Sequence, residues 1–181
     1  MKKYIVEKLD SDVTEHCDSI IEAYHSDPNK NANEDVVWLQ IPQSDLWKDS
    51  RDHIYNTVSA HIMQYLKEFE GLVPTLQLQD IGYQINHHQK DVSTESARYD
   101  SFSSTQFAFL FGLTLFLNDV DDGGEMTFPD LDVSVVPKKG KVVIYPAAFP
   151  ILRGHNAPVT NDMYTVSTYI VAQTTHQSAQ E

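Results

Sequence analysis

The hydrophobic period of this chain changes once, near Leu76, and that change limits the fold more than any other feature. Before it, apolar residues recur at spacings of three and four, the repeat of an amphipathic helix. After it, apolar and polar residues alternate or form short dense runs broken by Gly, Pro, Asp and Asn. Those are the marks of β-strands joined by turns.

Two helices are expected ahead of the change. Ser11 or Asp12 is placed to cap the first, Ser11–Tyr24, whose apolar side is Val13, Cys17, Ile20, Ile21 and Tyr24; Pro28 and the Asn-rich stretch after it end that helix. Ser44 is placed to cap the second, which carries Trp47, Ile54, Val58, Ile62, Tyr65, Leu66 and Phe69 on one side and stops at Gly71. Strands are expected at Leu76–Gln79, through Tyr83 and Ile85, and at Phe107–Leu117, Glu125–Phe128, Val133–Val136, Lys141–Tyr145 and Tyr164–Val171. Residues 89–106 are polar and rich in Ser, Thr and Asp, and read as a loop or lid. Many short strands after two helices predict a mostly β, α+β chain: a double-stranded β-helix (a cupin-like jelly roll) with both helices against the outside of one sheet. A chain of 181 residues is long enough for one good core. A single domain is therefore expected, with a helical part at 1–75, a jelly-roll core at 76–171 and a tail at 172–181.

Composition removes several function classes. The formal charge is −13, and no basic run offers a footprint for nucleic acid. No apolar run approaches the roughly 18 residues of a membrane span. Cys17 is the single cysteine, which excludes an intrachain disulfide and Cys-rich metal sites, and its position reads as a small buried apolar group. A soluble cytoplasmic or otherwise intracellular protein is expected. The acidic cluster of Asp119, Asp121, Asp122, Asp130 and Asp132 reads as a solvated turn, and His16, His25, His53, His61 and His176 as structural histidines.

The run from Leu113 to Pro150, LTLFLNDVDDGGEMTFPDLDVSVVPKKGKVVIYPAAFP, carries an ordered series of motifs: LxLFLND, DGGE, FP, PKKG and YP. It is similar to the prolyl 4-hydroxylase-like branch of the iron(II)- and 2-oxoglutarate-dependent oxygenases. The resemblance implies a jelly roll in which two histidines and one carboxylate hold iron(II). A basic residue on a late strand would then bind the far carboxylate of 2-oxoglutarate.

The residues for those roles stand in two registers. In the first, Gly82-Tyr83-Gln84-Ile85-Asn86-His87-His88 approaches the first ligand, His88. Lys90 then stands where the carboxylate is expected, with Asp91 one place on; an ammonium has no lone pair to give a metal. In the second, Arg98-Tyr99-Asp100-Ser101 resembles the family's His-Tyr-Asp-Ser, with Arg for His and Asp100 as the acid. The late strand divides in the same way. Counting back eleven places from Tyr164 reaches Arg153, whereas His155 serves only with a shorter loop, and Met163 holds the place of the basic anchor. The metal candidates are therefore His88, Asp91, Asp100 and His155, and the co-substrate candidates are Arg153 and Tyr83.

Two functions follow. One is an iron(II)- and 2-oxoglutarate-dependent dioxygenase hydroxylating a peptidyl or small-molecule C–H bond. The other is a catalytically inactive oxygenase fold serving as a binding or structural module. The expected partner is a protein or peptide substrate or a fellow member of an assembly.

Overall fold

The computed structural model describes residues 2–33, 36–69, 77–92, 97–100 and 109–172, and the account that follows is of those residues. An opening strand β1 (Val6–Leu9) leads to helices α1 (Ser11–Thr14) and α2 (Cys17–Ser26). Next come β2 (Asn31–Ala32), β3 (Val37–Gln40) and the long α3 (Lys48–Glu68). The remaining strands are β4 (Leu78–Asp80), β5 (Gln84–His88), β6 (Arg98–Tyr99), β7 (Phe109–Phe116), β8 (Met126–Phe128), β9 (Val133–Val135), β10 (Lys141–Pro146), β11 (Leu152–His155) and β12 (Met163–Ala172).

The first expected helix is two. Asp10 caps α1, its carboxylate accepting from the Val13 N–H at 3.0 Å, so neither Ser11 nor Asp12 is the cap. The chain then tightens at His16, whose N–H reaches only three residues back to Val13, and α2 restarts behind it. Ser44 precedes a 3-10 turn, Asp45–Trp47, that runs into α3, and its side chain makes no capping bond. The short strands β1, β2, β3 and β6 were not expected; two to four residues are too few for alternation to show.

The strands form two antiparallel sheets in the jelly-roll manner. The larger runs β1-β10-β7-β12-β5-β3-β2, with β4 also paired to β12; the smaller runs β6-β11-β8-β9. Period two gives each strand of the larger sheet two faces. One face packs Leu39, Ile85, Leu113, Leu115, Val166 and Ile170 against the helices, which contribute Ile20, Tyr24, Ile54, Val58, Ile62 and Tyr65. Each such side chain contributes about 1.5–3 kcal/mol by leaving water. The helices thus cover the outside of one sheet, as expected. A second cluster, including Phe116, Met126, Phe128, Val143 and Met163, fills the space between the sheets at one end. Among the described residues no helix is long and apolar enough to cross a membrane.

The lid expected at 89–106 is described only in part, since residues 93–96 and 101–108 lie outside the described residues. In the described part, Arg98 and Tyr99 pair with Arg153 and Leu152 of β11, and Asp100 is 1% exposed. That segment is held in the smaller sheet. A buried carboxylate and its cation fasten it, an anchor that an apolar count overlooks.

Candidate functional site

The inner face of a two-sheet fold is ordinarily apolar. Here the larger sheet turns a polar surface inward. Gln40, Gln84, Ser167 and Thr114 stand side by side across β3, β5, β12 and β7, and Trp38, Asn86 and Thr165 form the adjacent row. These rows wall a cavity of about 320 Å³. Its other end is closed by His88, His155, Arg98 and Arg153.

His88 ends β5 and His155 ends β11. Their rings lie 5.4 Å apart between centroids, inclined by 32°. His88 is 8% exposed, and its Nδ1 is buried without a hydrogen-bond partner. Burial, then the charge of Arg153, then His87 push the His88 imidazolium down to about 4. Burial, His88 and Arg153 hold His155 well below the ordinary histidine value. Both rings are therefore neutral at pH 7.

Beside them lies a buried ion pair. Arg153 donates from Nε to Asp100 Oδ2 at 2.8 Å and from Nη2 to Oδ1 at 2.9 Å. The Tyr145 hydroxyl donates to Oδ2 at 3.0 Å, and Arg98 Nε to Oδ1 at 3.4 Å. Burial alone would raise the Asp100 carboxyl, but the Arg153 charge and hydrogen bonds hold it below the usual carboxylate range. A carboxylate has about four lone-pair sites, and the Tyr169 hydroxyl joins these donors, so the acid is fully engaged.

The site residues read from the sequence separate cleanly. Histidines 88 and 155 come together; Asp100 and Arg153 come together, with each other. Asp91 is exposed, in a turn at φ 59°, and its N–H bonds the Pro158 carbonyl at 2.8 Å. Tyr83 is a correction. It shares the helix-side face of β5 with Ile85, is 7% exposed in that core and donates its hydroxyl to Asp80 at 3.1 Å. It lies on the opposite face from the cavity because Gln84, Asn86 and His88 take the inward positions. Met163, opposite His88, is fully buried among apolar side chains, so no cation stands at the expected anchor.

These residues do not fit iron(II) held by two imidazoles and a carboxylate. Among the described residues no three of His, Cys, Asp and Glu converge on one point. The buried carboxylate of Asp100 is committed to Arg153, and that guanidinium adds positive charge beside both histidines. The strand register also brings the positions of the second sequence alignment side by side. Arg98 and Arg153 are direct partners across β6 and β11, with Asp100 beside them. The three positions that the resemblance assigns to His, Asp and His in the second register are thus Arg98, Asp100 and Arg153, joined by hydrogen bonds.

The polar rows and Tyr145 were missed from the sequence. Their signal was present: Gln84 and Asn86 flank Ile85, and Thr165 and Ser167 flank Val166, a period-two polar face within an otherwise apolar core.

No family model and no curated protein sequence matches the chain. Solved structures do. The viral collagen prolyl hydroxylase of Paramecium Bursaria Chlorella virus-1, in complex with 2OG, superposes with a TM-score of 0.67 at 16% identity, over 94% of this chain and 97% of that one. A 2OG-Fe(II) oxygenase family oxidoreductase from Burkholderia pseudomallei gives 0.70 at 16% identity, over 94% and 85%. A Trichoplax adhaerens prolyl hydroxylase in complex with a hypoxia inducible factor peptide fragment gives 0.70 at 8% identity, over 93% and 83%. At these identities the likeness shows the fold, a prolyl 4-hydroxylase-like oxygenase jelly roll.

Proposed function

We propose that this chain is a binding module on an oxygenase jelly roll, working without a metal. The observation that carries this reading is the two-point bond between Arg153 and Asp100, which uses the acid a metal would need. The cavity beside it is open to a small ligand or to the side chain of a peptide. Polar groups on the larger sheet and two arginines at the far end supply the contacts. A protein or peptide partner is in keeping with the peptide complex of the Trichoplax structure.

One observation favours the alternative, a dioxygenase with displaced ligands: His88 and His155 are neutral, close, and in the form that binds metals. It requires Asp91 to leave its exposed turn and join them, and 2-oxoglutarate to bind without a basic residue at Met163. Anaerobic titration calorimetry with iron(II), alone and with 2-oxoglutarate, separates the two. The binding-module reading expects no saturable heat. Micromolar iron binding abolished by His88→Ala and His155→Ala would sink it.

A further inference from the structure

The cavity wall has a chemistry of its own. Amide and hydroxyl groups from four strands face one space, with the indole of Trp38 in the same wall and the rings of Tyr145 and Tyr169 also lining the cavity. Asn86 Nδ2 donates to Ser167 Oγ at 3.1 Å and to Thr165 Oγ1 at 3.4 Å, so each hydroxyl, used as an acceptor, retains its proton to give. Gln84 donates Nε2 to Asn86 Oδ1 and retains its carbonyl oxygen. The wall therefore offers neutral donors and neutral acceptors at spacings set by the sheet, about 5 Å between strands. Carboxylates are absent from the described lining, and the positive groups are confined to one end.

A ligand matched to such a wall carries several neutral groups that donate and accept at once, and an apolar edge for the indole. Hydroxyls on a ring meet that description; an alkyl chain would strand the amides, at roughly 1–3 kcal/mol for each buried group left unpaired. The volume, about 320 Å³, is at the small end of ligand cavities, which run from about 300 to 1,000 Å³. We propose that the cavity binds a small polyhydroxylated ring of the monosaccharide class along the Gln84–Asn86–Ser167 wall. This deepens the binding-module reading and rests on it, since the site needs no metal.

Trp38 makes the test direct. Trp47, the other tryptophan, is fully buried and donates its N–H to Asp27, so a cavity ligand should change the Trp38 emission. The whole chain is titrated with glucose and with glucuronate, alongside Gln84→Leu and the milder Ser167→Ala, with melting curves to confirm that each variant is folded. Saturation by either sugar is expected, with half-saturation raised at least tenfold in both folded variants. A response to glucuronate alone would add a contact between its carboxylate and the arginine end. No saturable response from the folded wild type overturns the proposal, as does saturation that both variants leave unchanged. Iron(II) titration of the same sample keeps the failures apart. Silence toward sugars without iron binding defeats only the saccharide assignment, whereas iron binding defeats the metal-free reading.

Discussion

Arg153 and Asp100 meet inside the protein in a fork-to-fork bond, 2.8 Å at one oxygen and 2.9 Å at the other, with both residues under one-tenth exposed. The pair joins β11 to the segment that follows β6. It holds that segment in place and engages a buried carboxylate whose partner Arg153 acts on both buried histidines.

A pair of this kind is costly to break from one side. Asp100→Leu leaves a buried guanidinium without its counter-charge, and Arg153→Met leaves a buried carboxylate. Each single change should lower stability by about 3–5 kcal/mol. The double change to Asp100→Leu with Arg153→Met should cost less than the two losses added, because no charge is left alone. Urea denaturation of the four proteins checks this. Strict additivity would show that the two side chains are not energetically coupled.

The fold was legible because its signals are long or repeated. The DGGE and PKKG turns lie where they were expected, and the dense run expected at Phe107–Leu117 is a strand over Phe109–Phe116, residues 107 and 108 lying outside the described residues. The site was only half legible. His88 and His155 come from different sheets, and sequence spacing says nothing of whether their strands end at the same place. Asp100 could be identified as an acid in a ligand-like position, but its partner stands 53 residues away in Arg153. Tyr83 was misplaced for a simpler reason: in a strand, a shift of one residue changes the face.

Gly112 supports the same pair at one remove. It lies between Tyr145 and Tyr169 in adjacent strands, and a Cβ there would be 2.2 Å from Tyr145 Cζ and 2.4 Å from its hydroxyl. Tyr145 is 2% exposed and donates to Asp100, so it has little room to yield. Gly112→Ala should cost about 1–3 kcal/mol, the range for overpacking a core. Adding Tyr145→Leu should cost less on that background than on the wild type, since the clash goes with the ring. Equal costs on both backgrounds, from chemical denaturation, would dismiss the steric account.

Asp27 serves the helical layer. Its Oδ2 accepts from the Trp47 indole N–H at 2.9 Å, both residues being buried, and its Oδ1 from the N–H of the exposed Asn29 at 2.8 Å. Asp27→Ala leaves the Trp47 donor buried and unpaired, at about 1–3 kcal/mol. Trp47→Phe removes that donor. On the Trp47→Phe background the Asp27 substitution should lose part of its cost, and a thermodynamic cycle reads the difference.

The buried histidines give the chain a defined acid response. The unfolded imidazole has a pKa of about 6.5. In the folded chain His88 is pushed down to about 4, first by burial and then by Arg153 and His87. A base with a depressed folded value contributes stability that is fully present above the unfolded value and is lost as pH falls through the folded one. Between pH ~6.5 and ~4 the unfolded chain takes up the proton that the folded chain refuses, and the shift corresponds to about 3 kcal/mol. His155, also held low, acts in the same direction. Asp100, Asp10 and Asp162 have folded values below the ordinary carboxylate value, so their contributions fail only in more acid solution, below pH ~4. The two windows separate the histidines from the acids. Urea midpoints measured between pH 7 and 4 should fall steadily for the wild type. They should fall less for His88→Leu, which has no proton to gain at that position. A wild type whose stability is flat from pH 6.5 to 4.5, or a His88→Leu protein that loses as much as the wild type, would show that His88 is not buried as a neutral ring.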